Sequence, residues 1–401
     1  MVSQIITHPF ISFHEMTMNS IILKETNMKP SSQDYILNVK DLSQNSTNTF
    51  NKNGFCLSIF HLEGEPEMAN RVRISNQYLE VEMLPSKGFS LSQAWIHGTP
   101  VFWDAPSDLP DTETIDLWSD EICINGVPSP GFTYLKTFIA GVELLGMRNW
   151  GMPVTANNRL LPLHGETSNI PVKELLLEIK EDNCTLQASF IYRTFDKEHK
   201  QPWYENGEEL FKVTKKLILN NNSTKIRIED SFENISKEDQ LPDWGYHVTF
   251  RPELGAKYLV SARHAERRGG GALPKDFEVW QASPDNFKRI EHGTIYKGLS
   301  DIDTSGLHTS MLLYPDGKGI VVKTTPSPYF QTWFCSGGAG SSEFTWKNRE
   351  PVLKRNWDGI GIEFGSCALD HDGNTDPEVE NEKVRKPGES RKIVIEFEFF
   401  N

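Results

Sequence analysis

The chain has 401 residues, room for one large domain or two to three small ones. Its 41 Lys and Arg against 55 Asp and Glu leave a formal charge of −14, without the basic surface that neutralises phosphates, so nucleic acid is excluded as the main ligand. Charged residues make up 24% and aromatic residues 11%, with 10 Trp and 23 Phe, which excludes a disordered or collagen-like chain and suffices for a real core.

The first 20 residues lack a basic stretch followed by an unbroken apolar one, so no signal peptide is read. Residues 43–53 are polar and turn-rich, and residues 1–52 read as an N-terminal extension, a partly ordered arm or linker, ahead of one domain over 53–401. From Gly54 the dominant signal is period two. Residues 72–84 alternate, residues 175–195 alternate about Asp182 and Asn183, and residues 210–232 alternate about Asn220 to Ser223. Residues 308–325 do so about Pro315, Asp316 and Gly317, and the chain ends on a further alternating run. Such runs between Asn, Asp, Gly and Pro are hairpins, and many hairpins need a closed barrel or a large two-sheet sandwich to cover their edges. The expected fold class is all-β, with a large antiparallel β-sandwich or a closed barrel as the architectures that fit.

Five cysteines, Cys56, Cys123, Cys184, Cys335 and Cys367, are widely spaced and odd in number, with no paired metal or redox spacing. They predict a reducing compartment, and the cytoplasm is the expected location. No run of about 18 apolar residues occurs, so no membrane partner is expected. Gly269, Gly270 and Gly271 make a loop without the order of a phosphate-binding turn. The oxygen-rich stretch from Asp370 to Asp376 departs from a calcium loop at its sixth and twelfth positions and reads as a solvated loop, so no metal is expected.

Three short stretches depart from a plain strand pattern. Residues 159–169 gather Arg159, His164, Glu166 and Asn169 around a turn. Residues 242–250 carry His247 on an otherwise aromatic strand. Residues 359–365 set Glu363 alone among apolar neighbours. A carboxylate in an apolar setting is costly to bury unless paired, which marks it as a functional candidate. Singly, each reads more simply as a structural histidine or a solvent-facing carboxylate. Trp150 and Trp333, near these stretches, offer flat apolar platforms for a ligand, although core packing is the commoner use of Trp.

Taken together and in this order, Leu163-His164-Gly165, Tyr246-His247 and Ile362-Glu363 resemble the galactose mutarotase-like (aldose 1-epimerase) superfamily. The first motif, with Ser168, Asn169 and Pro171 following, is similar to that of one bacterial branch. The resemblance runs over about residues 68–400 and implies a supersandwich. It implies that Glu363 takes the proton of an anomeric hydroxyl as general base and that His247 protonates the ring oxygen as general acid. His164 would hold a sugar oxygen, helped by Arg148 or Arg159, with no cofactor. Opening a hemiacetal needs one proton removed and one delivered, which a carboxylate and an imidazole do near neutral pH. The chain departs from the pattern at Glu166, where that branch carries Arg. An anionic group there is expected to disfavour phosphorylated or carboxylated sugars. The family's aspartate between the second His and the Glu has no matching motif, leaving Asp243, Asp301 and Asp303 as candidates.

The resulting expectation is an isomerase that interconverts the anomers of a free sugar, with homo-oligomerisation left open. The alternative is a carbohydrate-binding or sensor protein on the same fold. A hydrolase is less well matched, because hydrolysis normally uses two carboxylates and the motifs supply one.

Overall fold

Tight turns built on Asn, Asp and Gly set the hairpins. The computed structural model of the chain describes residues 33–38, 48–66, 69–156, 158–194, 203–366 and 382–400; the stretch from Asp370 to Asp376 lies outside them. Glu174–Ile179 turns into Asn183–Arg193 with Ile179 opposite Cys184, and Glu209–Asn220 turns into Lys225–Asn234 with Leu219 opposite Ile226. His308–Leu313 turns into Gly319–Thr324 with Leu313 opposite Gly319. Each largely alternates buried with more exposed positions, because one face is packed and the other meets solvent. Residues 72–84 differ from the single run expected of them. They split into Arg71–Ser75 and Leu79–Leu84, because Asn76 Oδ1 accepts the N–H groups of Tyr78 and Leu79, both at 2.8 Å, and reverses the chain.

These hairpins from residue 174 onward, with Gln33–Asn38, Lys257–Val260 and Ser390–Phe400, form a nine-stranded sheet. A twelve-stranded sheet packs against it. Its centre runs, in spatial order, Ile290–Leu299, Tyr329–Ser336, Gly359–Gly365, Asp243–Phe250 and Val142–Met147, all antiparallel.

Leu217, Ile228 and Ile395 of the first sheet share one core with Leu144, Tyr246, Val248, Phe330, Ile362 and Phe364 of the second. Successive strand residues point to opposite faces, so the alternate set lies on the outer face of the twelve-stranded sheet. There Leu145, Tyr329, Trp333 and Cys335 form a separate cluster with Trp103, Tyr134, Phe138, Trp150 and Trp357 from the connecting segments. Both faces of these central strands are covered, which is why every residue of Asp243–Phe250, Tyr329–Ser336 and Gly359–Gly365 is buried. No helix among the described residues is long and apolar enough to cross a membrane.

Candidate active site

Register places the polar groups in one row. Glu143, His247, Glu363 and Gln331 stand opposite one another on four adjacent strands and so share the outer face. His247 Nε2 lies 3.1 Å from Glu363 Oε1, with the two residues only 4% and 8% exposed. Gln331 Nε2 donates to Glu363 Oε2 at 2.6 Å, and the Tyr329 hydroxyl donates to Gln331 Oε1 at 2.9 Å. Burial works against charge on Glu363, but His247 beside it, Arg268 and His164 outweigh burial and hold the carboxyl down to about 2. It is ionised across the neutral range. His247 Nδ1 is buried and has no hydrogen-bond partner among the described residues, so Glu363 is the polar contact that anchors this ring.

His164 reaches the same place from a turn. It has φ +58°, and Gly165 after it has φ +67°, where a Cβ would come within 2.5 Å of the Gly146 carbonyl oxygen. The turn therefore requires glycine at 165, which explains the Leu163-His164-Gly165 motif. His164 Nδ1 donates to the Trp150 carbonyl at 2.6 Å, which leaves Nε2 as an acceptor. Burial and the neighbouring His247 push this imidazole down to about 4, so it is neutral near pH 7. Its ring centroid stands 5.4 Å from that of His247.

Glycines on the same face make room for two indoles. A Cβ on Gly245 would meet Trp150 Cε3 at 2.3 Å, and one on Gly361 would meet Trp333 Cε2 at 2.0 Å. The alternating glycines about Glu363 are thus the floor on which tryptophans lie. Trp333 approaches His247 with ring centroids 5.1 Å apart. Trp150 donates from Nε1 to the Ser366 carbonyl at 2.5 Å.

Glu363, His247, His164, Tyr329, Trp150 and Trp333 line a cavity of about 300 Å³, bounded further by Phe132, Leu135, Phe344 and Trp357. That volume lies at the small end of ligand sites and suits one sugar ring. Arg268, Arg289, Glu291 and Glu343 also line it. Arg289 binds both oxygens of Glu343, at 2.7 and 3.0 Å, and pairs with Glu291, while Arg268 Nη1 lies 3.8 Å from Glu291. A larger cavity of about 440 Å³, between Tyr314, Phe400 and Arg251, contains none of the residues in the polar row.

The structure thus brings Glu363, His247, His164, Trp150 and Trp333 together, and it leaves the other candidates outside the lining. Arg148 pairs with Glu166 at 3.1 Å, and Tyr192 donates to the same carboxylate at 2.6 Å, so the two charges are spent on each other. Asn169 is fully buried, and Arg159 is exposed on the short strand Arg159–Leu161. The expected repulsion of anionic sugars by Glu166 therefore has no route into the cavity. Asp243 binds Ser366 Oγ at 2.5 Å, and Asp303 pairs with Lys323 at 2.7 Å. Neither they nor Asp301 line the cavity.

Sequence reading missed Gln331, Tyr329, Trp357 and the four charged groups. Tyr329 and Gln331 carried a usable signal, since period two puts them on one face with Trp333. The others come from segments whose meeting depends on the whole fold.

A family model described as "Domain of unknown function (DUF4432)" matches residues 67–337, a span that holds both histidines and stops short of Glu363. No curated protein matches the sequence. Among solved structures, a Klebsiella pneumoniae protein described as "a putative aldose 1-epimerase" is 18% identical and superposes with a TM-score of 0.70, covering 92% of this chain and 91% of its own. A galactose mutarotase-like protein from Clostridium acetobutylicum is 12% identical with a TM-score of 0.52, covering 87% of this chain and 100% of its own. At these identities the likeness shows the fold, the galactose mutarotase-like β-sandwich.

Proposed function

The chain belongs to the DUF4432 family, and from its site we propose that it is an aldose 1-epimerase, a mutarotase acting on a free sugar. The observation that carries this reading is the row itself: an ionised, buried Glu363 in register with His247 at 3.1 Å, beside a neutral His164, at the wall of a cavity sized for one ring.

In the resting site the ionised Glu363 stands 3.1 Å from His247 Nε2. A sugar whose anomeric hydroxyl meets Glu363 and whose ring oxygen meets His247 parts the pair. The carboxylate then loses the neighbour that suppressed its basicity, just as the hydroxyl proton must leave. Glu363 takes that proton, His247 gives its proton to the ring oxygen, and the C1–O5 bond breaks to leave the open aldehyde. Rotation about C1–C2 and the reverse transfers close the ring on the other face, so both residues return to their starting states. His164 Nε2 accepts from a sugar hydroxyl, and Trp150 and Trp333 pack against C–H faces of the ring. Of the arginines, Arg268 takes the supporting role expected of Arg148 or Arg159, because it lines the cavity and its charge acts on Glu363.

The test is anomer exchange by saturation-transfer NMR across neutral aldoses, deoxy sugars and uronic acids. Acceleration of at least one sugar is the expected result. Line broadening without acceleration for any sugar contradicts the enzyme reading in favour of a binding protein.

A further inference from the structure

His247 is flanked in its row by two carboxylates, Glu363 on one strand and Glu143 on the other, and they are held differently. Glu143 is fully buried and has four donors. Lys87 Nζ at 3.0 Å and the Tyr134 hydroxyl at 2.9 Å reach Oε2, while the N–H groups of Ala140, at 3.0 Å, and Ile139, at 3.2 Å, reach Oε1. Lys87, also fully buried, gives a further hydrogen bond to Ser168 Oγ at 3.0 Å. Its own segment is clamped at Gly88, where φ is +61° and a Cβ would meet the Thr167 carbonyl oxygen at 2.6 Å.

Three of the four donors, those of Tyr134, Ile139 and Ala140, tie residues 134–140 to the carboxylate. Their only helix, Tyr134–Thr137, is a single turn and too short to hold itself. Two rings from this segment touch the site: Tyr134 lies edge-on to His164, with centroids 4.6 Å apart, and Phe138 lies edge-on to His247 at 4.3 Å. We propose that the buried Lys87–Glu143 pair is a positioning device, in which Glu143 fixes the imidazoles of His164 and His247 through the rings of Tyr134 and Phe138. Lys87 and Tyr134 occupy the carboxylate so that His247 is left to Glu363. This role rests on the reading of His247 and Glu363 as the reacting pair.

A natural control lies inside the sandwich, where Tyr246, on the opposite face of the His247 strand, meets an ion pair of the nine-stranded sheet. Lys215 and Asp230 pair at 3.2 Å inside the sandwich, and Tyr246 donates to Asp230 at 2.6 Å, so the same three groups occur there without a ring on either histidine.

The experiment compares the full chain with Glu143→Gln and Asp230→Asn by thermal melts, by kcat and KM for an accelerated sugar, and by nitrogen-15 spectra of the histidine rings. For Glu143→Gln the ring signals of His164 and His247 move and kcat falls at least about tenfold with KM within about twofold, since small displacements of reacting groups act on turnover. Asp230→Asn lowers the melting temperature and leaves both ring signals and kcat as they were. Should Glu143→Gln fail to fold, Phe138→Leu keeps the ion pair and must still move the His247 signal. A folded Glu143→Gln, or in its place Phe138→Leu, with unmoved ring signals or with wild-type kcat overturns the proposal. If the wild-type protein accelerates no sugar, the mutarotase reading fails by itself, and the ring signals still decide whether Glu143 holds the histidines.

Discussion

Gly361→Ala tests the packing that shapes the cavity. The new Cβ would lie 2.0 Å from Trp333 Cε2 and 2.1 Å from Nε1, so the indole must retreat by about 1.4 Å to reach the 3.4 Å of ordinary contact. It has little room to do so. Trp103 and Trp357 stand edge-on with centroids 6.4 and 6.5 Å away, and His247 is 5.1 Å away on the cavity side. Overpacking of this kind costs about 1–3 kcal/mol. Pressing the indole toward His247 displaces a reacting group by a fraction of that shift, which lowers kcat/KM by about 10–100-fold. Urea denaturation followed by tryptophan fluorescence reads the first effect and anomer exchange the second. A variant with wild-type stability and wild-type exchange would refute the claim that Trp333 lies on residue 361.

Three further outcomes follow from the geometry. Arg268→Gln removes a positive charge that helps hold Glu363 ionised, so the acid limb of the kcat/KM profile moves to higher pH; an unmoved limb contradicts the assignment of Arg268. Glu166→Gln breaks the partnership with Arg148 and Tyr192 and costs about 1–3 kcal/mol in a urea titration, yet the ratio of KM values for neutral and carboxylated sugars stays within about twofold. His308 is fully buried, and burial holds its imidazole down to about 4. The unfolded chain then binds the extra proton between pH 6.5 and 4, so stability is lost as pH falls through that window, by about 2 kcal/mol at pH 5. His308→Leu removes this share of the slope and leaves the share of His164, whose imidazole is held down in the same way, and an unchanged slope would show that His308 contributes none of it.

The legible part of the fold was the part that meets solvent on one side. Glu209–Asn220 and Lys225–Asn234 announce themselves because Val213, Leu217, Ile226 and Ile228 face the core while their neighbours are less buried. Central strands covered on both faces give no such signal, yet they carry the site. His164, His247 and Glu363 were readable because short motifs hold them: a glycine turn for His164 and, for Glu363, glycines under the indoles. Arg268, Glu291, Glu343 and Lys87 were not. In sequence each looks like a surface charge, and only the register of distant strands and the loops over them bring it inside. The same long-range dependence sent Arg148 and Glu166 to one another instead of to the cavity.

The most direct test of the central claim is anomer exchange by wild-type protein and Glu363→Gln on a sugar that the wild type accelerates. The substitution keeps the side chain's shape and removes the base, so binding persists as line broadening and acceleration falls by about a hundredfold or more. Full acceleration by Glu363→Gln would contradict the account, because the proton of the anomeric hydroxyl would then be leaving by another route.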